Sequence, residues 1–407
     1  MSTGVVPARS DRLFLPASAL LWGVQFAFLN PAIGIILVTL YDATPGQVGV
    51  ALAAYNVSGF VSTLVVPTRA DRSGDYLRPM LWCGVFTVLL VTALALATTL
   101  PMAVVALVAL GGPAGVGIGL LFAHQRSTGA TVRDVMRVRA VFSFAWVAGP
   151  PLAAFLMGLL GNRSILWAIA AVALVSFGVT TAMIRERSRA ALEAESAVAV
   201  PAVGDRMLDA VRRPEVGLLL LAFVLLGAAG NAAVSTLPLL VTERLGLSLV
   251  WGGVALGTAA ALEIPVLVAL GRMSGRFGPR RIIAAGCVAG VAYYLAMTVV
   301  GGPVALVAVQ VLNALFVAVT SGVGLTLVQE VVGRPGLASG LFMNTTRVGA
   351  VLAGPVVAVA GVPALGYPGV FGACALLVAV GLGVLVLEYL LRRPQPDRPA
   401  RSRSRST

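Results

Sequence analysis

Lysine is absent from this sequence of 407 residues, and all 29 of its basic residues are arginines. A chain without lysine cannot build the phosphate-binding lysine of a Walker nucleotide site or the lysine of Schiff-base catalysis. ATP-driven transport by this chain alone is therefore not expected. Metal-binding residues are scarce as well, because the chain has one histidine and three cysteines.

The cysteines and the histidine give no sign of catalysis. Cys83, Cys287 and Cys374 lie in apolar stretches without metal-ligand spacing, so we interpret them as small buried hydrophobic residues. His124 lies where the fourth apolar stretch ends, and we expect it to be solvated rather than a proton relay. No pairing of a nucleophile with a base is visible. We therefore expect no metal, no cofactor and no enzymatic activity.

Charged residues make up only 11% of the chain, whereas 58% of the residues are hydrophobic and the mean hydropathy is +0.96. A soluble domain could not bury that much apolar surface, so the composition predicts an all-α polytopic membrane protein. Apolar runs of about 20 residues recur twelve times between short charged or Gly/Pro-rich turns. The predicted spans are residues 14–40, 46–67, 80–99, 101–123, 139–161, 164–183, 216–241, 247–270, 281–300, 303–328, 338–361 and 367–391.

The arginines are distributed unevenly between the loops. The loops that follow odd-numbered spans carry only Arg163 and Arg244, and nearly all the others lie in the remaining loops and the two tails. By the positive-inside rule, both termini are predicted to be cytoplasmic. This bias also accounts for the formal net charge of +13 without a nucleic-acid partner. We expect residues 392–407 to form a disordered basic tail that lies against anionic lipid.

The two halves of the chain repeat each other. Gly49-Val-Ala-Leu52 recurs as Gly253-Val-Ala-Leu256, at an offset of 253 − 49 = 204. Gly149-Pro150 recurs as Gly354-Pro355, at an offset of 354 − 149 = 205. Such a duplication predicts two pseudo-symmetric six-helix bundles and is typical of alternating-access transporters. The predicted domains are an N-terminal bundle over residues 1–183, a cytoplasmic linker over 184–214 and a C-terminal bundle over 215–391.

Asp71-Arg72-Ser73-Gly74, after the second span, resembles the D-R-x-G core of the major facilitator superfamily loop motif. Gly275-Arg276-Phe277-Gly278 aligns with it at the same offset, 275 − 71 = 204. Most of the chain also resembles the bacterial sugar efflux transporter family. The segments that carry this second resemblance are residues 142–153, 257–265, 310–316 and 344–349.

The resemblance implies the major facilitator fold, with the first, fourth, seventh and tenth spans around a central cavity. It further implies a multi-pass protein of the bacterial inner membrane that exports small sugars or glycosides in exchange for protons. The expected partners are the sugar, protons and membrane lipid, and we expect a monomer. Two alternatives stay open: the same fold exporting a drug or secondary metabolite, and, less favoured, a membrane sensor that transports nothing.

Amides on the spans expected to line the cavity are candidate sugar ligands, because an amide both donates and accepts hydrogen bonds. An aromatic ring could stack beneath the sugar. The alternative for each amide is a hydrogen bond to a neighbouring helix, and for each ring ordinary packing. The candidate substrate-binding residues are Gln25, Asn30, Trp22 and Phe26 on the first span, Asn231 on the seventh, and Gln310 and Asn313 on the tenth.

Glu263 is the only acidic residue between Glu243 and Glu330, and it lies within the predicted eighth span. An ionisable group at membrane depth is costly, so it usually faces a polar cavity or a partner. Three roles are open: a proton site, a ligand for a sugar hydroxyl, or a member of a structural ion pair. Its candidate partners are Arg347, at matching depth in the eleventh span, and Arg139, at the start of the fifth.

Four charged residues near the ends of the second, eighth and tenth spans are predicted to gate the cavity rather than to bind substrate. They are Asp71, Arg72, Arg276 and Glu330. If they pair across the cytoplasmic face, they would hold that face closed in an outward-open state.

Overall fold

The computed structural model describes residues 11–193, 213–248, 250–273, 276–359, 362 and 364–391. The predicted basic tail, residues 392–407, and residues 194–212 of the predicted linker lie outside the described residues. Within the described ranges the regular elements are all helices, and twelve helical spans are long and apolar enough to cross a membrane. The predicted fold class and the number of spans are confirmed.

We label the twelve spans α1 to α12 in chain order. Their bounds are α1 (Asp11–Tyr41), α2 (Pro45–Ser73), α3 (Leu77–Leu96), α4 (Leu100–Ser127), α5 (Val132–Leu160), α6 (Ser164–Glu193), α7 (Pro214–Arg244), α8 (Val250–Met273), α9 (Pro279–Thr298), α10 (Pro303–Val332), α11 (Pro335–Ala358) and α12 (Gly366–Leu391). The clearest difference from the predicted spans is that α2, α5 and α6 extend into polar sequence.

Capping residues explain the extended helices α2 and α5. Thr44 and Thr131 begin them with capping boxes, in which the threonine hydroxyl accepts a hydrogen bond from the backbone N–H of Gln47 or Asp134. Helix α2 ends at Gly74, whose φ of +65° is left-handed and suits glycine. The end of α2 and the start of α5 are therefore set by capping residues and not by the limits of the apolar run.

The two halves meet along two seams. Helix α5 packs against α8 along one seam, and α2 packs against α11 along the other. Within the first half α1 packs against α5 and α3 against α6, and within the second half α7 packs against α11 and α12. Large apolar side chains such as Val304 (82% exposed) and Val351 (75% exposed) lie on the outside, as expected for a surface that faces lipid.

Three of the four spans expected around the central cavity contain a π-helical turn, a feature frequent at functional sites. The turns are Leu107–Gly111 in α4, Leu240–Arg244 in α7 and Val319–Val323 in α10. In α4 the turn is followed by a close approach to α2, where a β-carbon on Gly112 would lie 2.0 Å from Ser58 Oγ. Glycine therefore lets the two helices pack closely beside the cavity.

Candidate functional site

A cavity of about 750 Å³ lies between the two halves. Small-molecule sites typically have volumes of about 300–1,000 Å³. Helices α1, α2, α4 and α5 of the first half and α7 to α11 of the second contribute to its wall. The aromatic residues of the wall are Phe26, Tyr55, Phe142, Trp146, Phe223, Tyr293, Tyr294, Phe316 and Phe342, and its charged residues are Arg139, Glu263 and Arg347.

Three of the candidate amide ligands line this cavity: Asn30 on α1, Asn231 on α7 and Asn313 on α10. The Nδ2 atoms of Asn30 and Asn231 each donate to the backbone carbonyl four residues earlier, at 3.0 and 2.8 Å. Each of these two amides therefore keeps its Oδ1 as an acceptor. Asn313 differs, because its Nδ2 donates to Gln310 Oε1 at 2.9 Å.

The other candidate ligands are placed differently around the cavity. Gln310 is fully buried outside the cavity lining and is positioned to orient Asn313 rather than to contact a ligand. Gln25 and Trp22, 3% and 1% exposed, line a small separate cavity beside the large one. Phe26 lines both cavities, and its ring centroid lies 6.5 Å from that of Trp22.

Glu263 lies on the cavity wall where α5 meets α8 and is 8% exposed. Its Oε1 accepts hydrogen bonds from Ser143 Oγ of α5 at 3.1 Å and from Ser321 Oγ of α10 at 3.3 Å. The Arg139 guanidinium lies 5.2 Å from the centroid of the Phe142 ring, and it interacts electrostatically with the charge of Glu263. The carboxylate therefore joins the first half to the second.

The structure does not bring Arg347 and Glu263 together as an ion pair. Arg347 Nη1 lies 3.4 Å from both the backbone oxygen and the Oδ1 of Asn56 on α2. A β-carbon on Gly59 would lie 2.0 Å from the same Nη1, so the missing side chain of Gly59 leaves room for the guanidinium. Among the described residues, no carboxylate forms a salt bridge with Arg347.

Asp71 joins the two halves where α2 ends and α11 begins, at what we call the Asp71 end of the bundle. Its Oδ1 and Oδ2 accept hydrogen bonds from the backbone N–H groups of Gly336 and Leu337, at 2.7 and 2.8 Å. These groups lie in the first turn of α11, where N–H groups lack helical partners and the helix dipole favours an anion. Arg334 Nε lies 3.8 Å from the same carboxylate. A side chain of the first half therefore caps a helix of the second.

Tyr76 supports Asp71 from within the first half. Its hydroxyl donates to Asp71 Oδ1 at 2.7 Å. Burial of the phenol, and then the neighbouring Asp71 charge, raise the pKa of Tyr76 well above its ordinary value. The hydroxyl therefore stays protonated at physiological pH and keeps donating to the carboxylate.

Close packing continues along the seam between the Asp71 end and the cavity. Asn344 of α11 accepts a hydrogen bond from Thr63 Oγ1 at 2.6 Å and donates to the Phe60 carbonyl at 3.1 Å. A β-carbon on Gly340 would lie only 1.9 Å from the Thr63 carbonyl oxygen. These contacts hold α2 and α11 together between the Asp71 end and the cavity.

The remaining predicted gating residues do not take part in these contacts. Arg72, Arg276 and Glu330 are exposed, and the structure shows no ion pair for them within the residues it describes. Of the four, Asp71 alone is seen here to connect the halves. Gly275, in the second copy of the loop motif, lies outside the described residues.

Several groups at the site were not found from the sequence. Ser143, Ser321 and Asn56 contact the charged residues of the cavity wall, but an isolated hydroxyl or amide in an apolar span gives no distinctive signal. The interpretation of His124 as solvated is wrong, since the side chain is only 3% exposed. The physical reason is that the last part of α4 packs against α3 and α11, which cover it.

Comparisons with known proteins agree with this architecture. The family model of the Major Facilitator Superfamily matches residues 17–354. Sugar efflux transporter B of Salmonella typhimurium is 30% identical over 84% of this chain and 86% of its own length. Sugar efflux transporter A of Dickeya chrysanthemi is 31% identical over 83% and 85%. The solved structure of the transporter FucP in the outward conformation gives a TM-score of 0.71 at 15% identity, covering 93% of this chain and 99% of that one, and this likeness shows the fold alone.

Proposed function

This chain belongs to the Major Facilitator Superfamily and, within it, to the sugar efflux transporters, and we propose that it exports a small sugar or glycoside. It is a multi-pass membrane transporter and not an enzyme. In the proposed cycle the cavity opens to each side of the membrane in turn, and protons moving inward drive the export.

The observation that carries this proposal is the mixed amide and aromatic wall of the cavity between the halves. Asn30, Asn231 and Asn313 place amides from three different helices on that wall. Sugar hydroxyls both donate and accept hydrogen bonds, and amides match both functions. Phe26 and Trp146, on the same wall, offer ring faces for the apolar face of a sugar.

Alternating access is supported by the contacts of the Asp71 end, which hold α2 and α11 together on one side of the cavity. The arginine distribution supports a cytoplasmic position for that end, in which case the described state would be open to the outside. Loading sugar from the cytoplasm then requires breaking the hydrogen bonds that Asp71 accepts from the backbone N–H groups of Gly336 and Leu337. Helix α11 would lose the cap of its first turn in that step.

Glu263 is the proposed proton site. In its charged form it accepts hydrogen bonds from Ser143 and Ser321 and attracts Arg139. Protonation would remove the negative charge and weaken the link between α5 and α8, which favours separation of the halves along that seam. One proton taken up from outside would thereby be exchanged for one departing sugar.

Efflux from proteoliposomes loaded with radiolabelled lactose, glucose or a glycoside tests the proposal, with and without an acidic external medium. We expect the pH gradient to accelerate efflux of at least one of these sugars. Asn231→Ala and Asn313→Ala should slow that efflux. Gly354→Ala is a matched control, because a β-carbon there would meet open space. No efflux of any sugar, together with export of a lipophilic cation, would contradict the proposal.

A second candidate function, export of an amphiphilic drug or secondary metabolite, is favoured by the many aromatic side chains of the wall. Glu263 would attract a cationic drug, but Arg139 and Arg347 on the same wall oppose a cation. Competition separates the two candidates. A neutral glycoside should inhibit sugar efflux if the proposed function is right, whereas a lipophilic cation should be the stronger inhibitor if the second candidate is right.

A further inference from the structure

A second, much smaller cavity lies beside the large one, within the first half. Its volume of about 20 Å³ matches one water-sized group, because a cavity needs roughly 10–15 Å³ to hold a water molecule. Its lining residues include Trp22, Gln25 and Thr87, and α4 contributes Gly111 and Gly115. The small cavity can therefore accept a single hydroxyl-sized group and nothing larger.

Two polar atoms of its lining residues have no hydrogen-bond partner among the described residues: Trp22 Nε1 and Gln25 Oε1. Trp22 is 1% exposed and Gln25 is 3% exposed, so bulk solvent does not reach them. The Nε2 of Gln25 is already used, since it donates to the Leu21 carbonyl at 3.1 Å. An unpaired buried donor and an unpaired buried acceptor are each costly. Together they leave one buried donor and one buried acceptor unused.

The position of the indole ring is fixed by the neighbouring helix. A β-carbon on Gly117 of α4 would lie 2.2 Å from Trp22 Cη2 and Cζ2, so the ring occupies the room that a side chain would take. The N–H of a ring held in this way is preorganised for its partner. Trp22 is therefore better suited to recognise a hydroxyl through its edge than to stack against a sugar ring.

The two cavities adjoin each other. Phe26, Tyr55 and Gly115 line both of them. A hydroxyl is the group that matches the free pair, because it can accept from Trp22 Nε1 and donate to Gln25 Oε1 at once. Water and a sugar hydroxyl share this chemistry, but only the sugar hydroxyl can approach as part of a molecule bound in the large cavity.

We propose that this small cavity, the Trp22 subsite, binds one hydroxyl of the transported sugar and contributes to the selection of the cargo. The hydroxyl accepts from Trp22 Nε1 and donates to Gln25 Oε1, while the rest of the sugar lies in the large cavity beyond Phe26. This inference rests on the proposed function, since it names how the same site distinguishes one sugar from another.

Binding measurements with a transported sugar and its set of mono-deoxy analogues test the subsite. The purified protein is compared with Gln25→Met and Trp22→Phe, in which an apolar side chain replaces the one that carries the acceptor or the donor. In the wild type, one analogue should bind about tenfold more weakly than the parent sugar, as expected for loss of hydrogen bonds to a buried pair. In either variant the parent should weaken to the level of that analogue, and the analogue itself should be unaffected.

Gln125→Leu is the matched control, because Gln125 is a fully buried glutamine of α4 that lies outside both cavity linings. It should preserve the wild-type order of analogues. Equal weakening of all sugars by both variants would overturn the subsite. Unchanged binding of every sugar would also overturn it, because the small cavity would then hold water rather than a sugar hydroxyl. If the wild type binds and exports no sugar, the proposed function itself has failed. Discrimination among analogues that does not depend on Gln25 or Trp22 overturns the subsite alone.

Discussion

Ser143 and Arg347 occupy equivalent positions in the two halves of the chain, since 347 − 143 = 204 is the offset of the internal repeat. Ser143 donates to Glu263, and Arg347 lies against Gly59. Glu263 and Gly59 are also equivalent, because 263 − 59 = 204. The α5–α8 seam therefore carries an acid where the α2–α11 seam carries a base. In the proposed cycle, protonation of Glu263 would change the charge of the α5–α8 seam at a position where the α2–α11 seam has only Gly59.

The first prediction concerns the charge of Glu263. Glutamine at this position keeps an acceptor for the Ser143 hydroxyl but cannot exchange a proton. We expect Glu263→Gln to reduce sugar efflux driven by a pH gradient to the rate measured without a gradient. Exchange of labelled for unlabelled sugar across the membrane should persist, because it needs no net proton movement.

Ser321→Ala provides the comparison for Glu263→Gln, since it removes one hydrogen bond and keeps the carboxylate. It should alter the pH dependence of efflux without abolishing the response to the gradient. Efflux by Glu263→Gln with the same pH dependence as the wild type would assign the proton site elsewhere.

The second prediction concerns the space beside Gly59. Alanine there must displace the Arg347 guanidinium, whose Nη1 lies 2.0 Å from the β-carbon position. The displaced atoms are the far end of a flexible side chain, so the fold should tolerate the change. We expect Gly59→Ala to slow sugar exchange about tenfold, roughly what loss of one charge-assisted contact produces. Exchange is measured with labelled sugar in proteoliposomes.

Gly49→Ala is the control for Gly59→Ala, because it lies on the same helix and a β-carbon there would meet open space. It should leave exchange unchanged and stabilise α2 slightly, by about 0.5–1 kcal/mol for glycine to alanine in a helix. Equal exchange rates for the two variants would show that the place of Arg347 beside Asn56 has no part in transport.

The spans could be predicted from the sequence because a bilayer imposes runs of about 20 apolar residues, which are visible without tertiary information. The partner of Asp71 could not be predicted in this way. The loop motif identifies the acid, but the groups that it binds are backbone N–H groups of α11, which have no side-chain signature. Ser143 could have been found from the repeat, because the offset of 204 residues makes its position equivalent to that of the charged residue Arg347.

The relation of Glu263 to Arg347 shows another limit of the sequence. Counting residues gives the depth of a side chain in the membrane, and the two depths match. Depth does not give the direction around the bundle, however. Helix α8 packs on one seam and α11 on the other, so the two charges face different neighbours.

The third prediction concerns the carboxylate of Asp71. Asparagine would place an NH₂ group against one of the two N–H donors of α11, and would lose the negative charge at the start of the helix. We expect Asp71→Asn to weaken the contact by about 1–2 kcal/mol, or roughly tenfold in the population open at the Asp71 end. Ser339→Cys reports this opening, because Ser339 is fully buried on α11 and the native cysteines are buried.

The rate of alkylation at Ser339→Cys should therefore rise about tenfold with Asp71→Asn, by the same estimate. Arg72→Gln is the matched comparison, since Arg72 is the adjacent exposed residue and makes no ion pair among the described residues. It should change the rate little. A larger effect from Arg72→Gln than from Asp71→Asn would assign the gating role to the arginine instead.

The fourth prediction tests the packing of the same seam by shape rather than charge. A β-carbon on Gly340 would lie 1.9 Å from the Thr63 carbonyl oxygen. This oxygen belongs to the backbone, so no side-chain rotation can relieve the clash. Gly340→Ala should therefore keep α2 and α11 apart and raise the alkylation rate at Ser339→Cys. Gly354→Ala, on the same helix but facing open space, should leave the rate unchanged. Equal rates in both variants would mean that the seam is looser than its contacts indicate.

The fifth prediction concerns an ion pair away from the cavity. Arg280, in the first turn of α9, donates through Nε and Nη2 to the two carboxylate oxygens of Glu388, near the end of α12, at 3.2 and 3.0 Å. The Glu388 side chain is 1% exposed. In the first half, Arg187 and Asp75 join the end of α6 to the start of α3 at 3.9 Å, with the charges reversed and Arg187 53% exposed.

Burial makes the Arg280–Glu388 pair more important for stability than the Arg187–Asp75 pair. Removing one partner of a buried pair leaves the other charge uncompensated, and can cost about 3–5 kcal/mol, whereas an exposed pair contributes about 0–1 kcal/mol. We expect Glu388→Gln to lower the thermal unfolding temperature of the purified protein clearly, and Arg187→Gln to lower it little. The double variant Arg280→Glu with Glu388→Arg should recover part of the loss, because it restores opposite charges between α9 and α12. A double variant that is less stable than Glu388→Gln alone would show that Glu388 acts through shape or other contacts rather than through its pairing with Arg280.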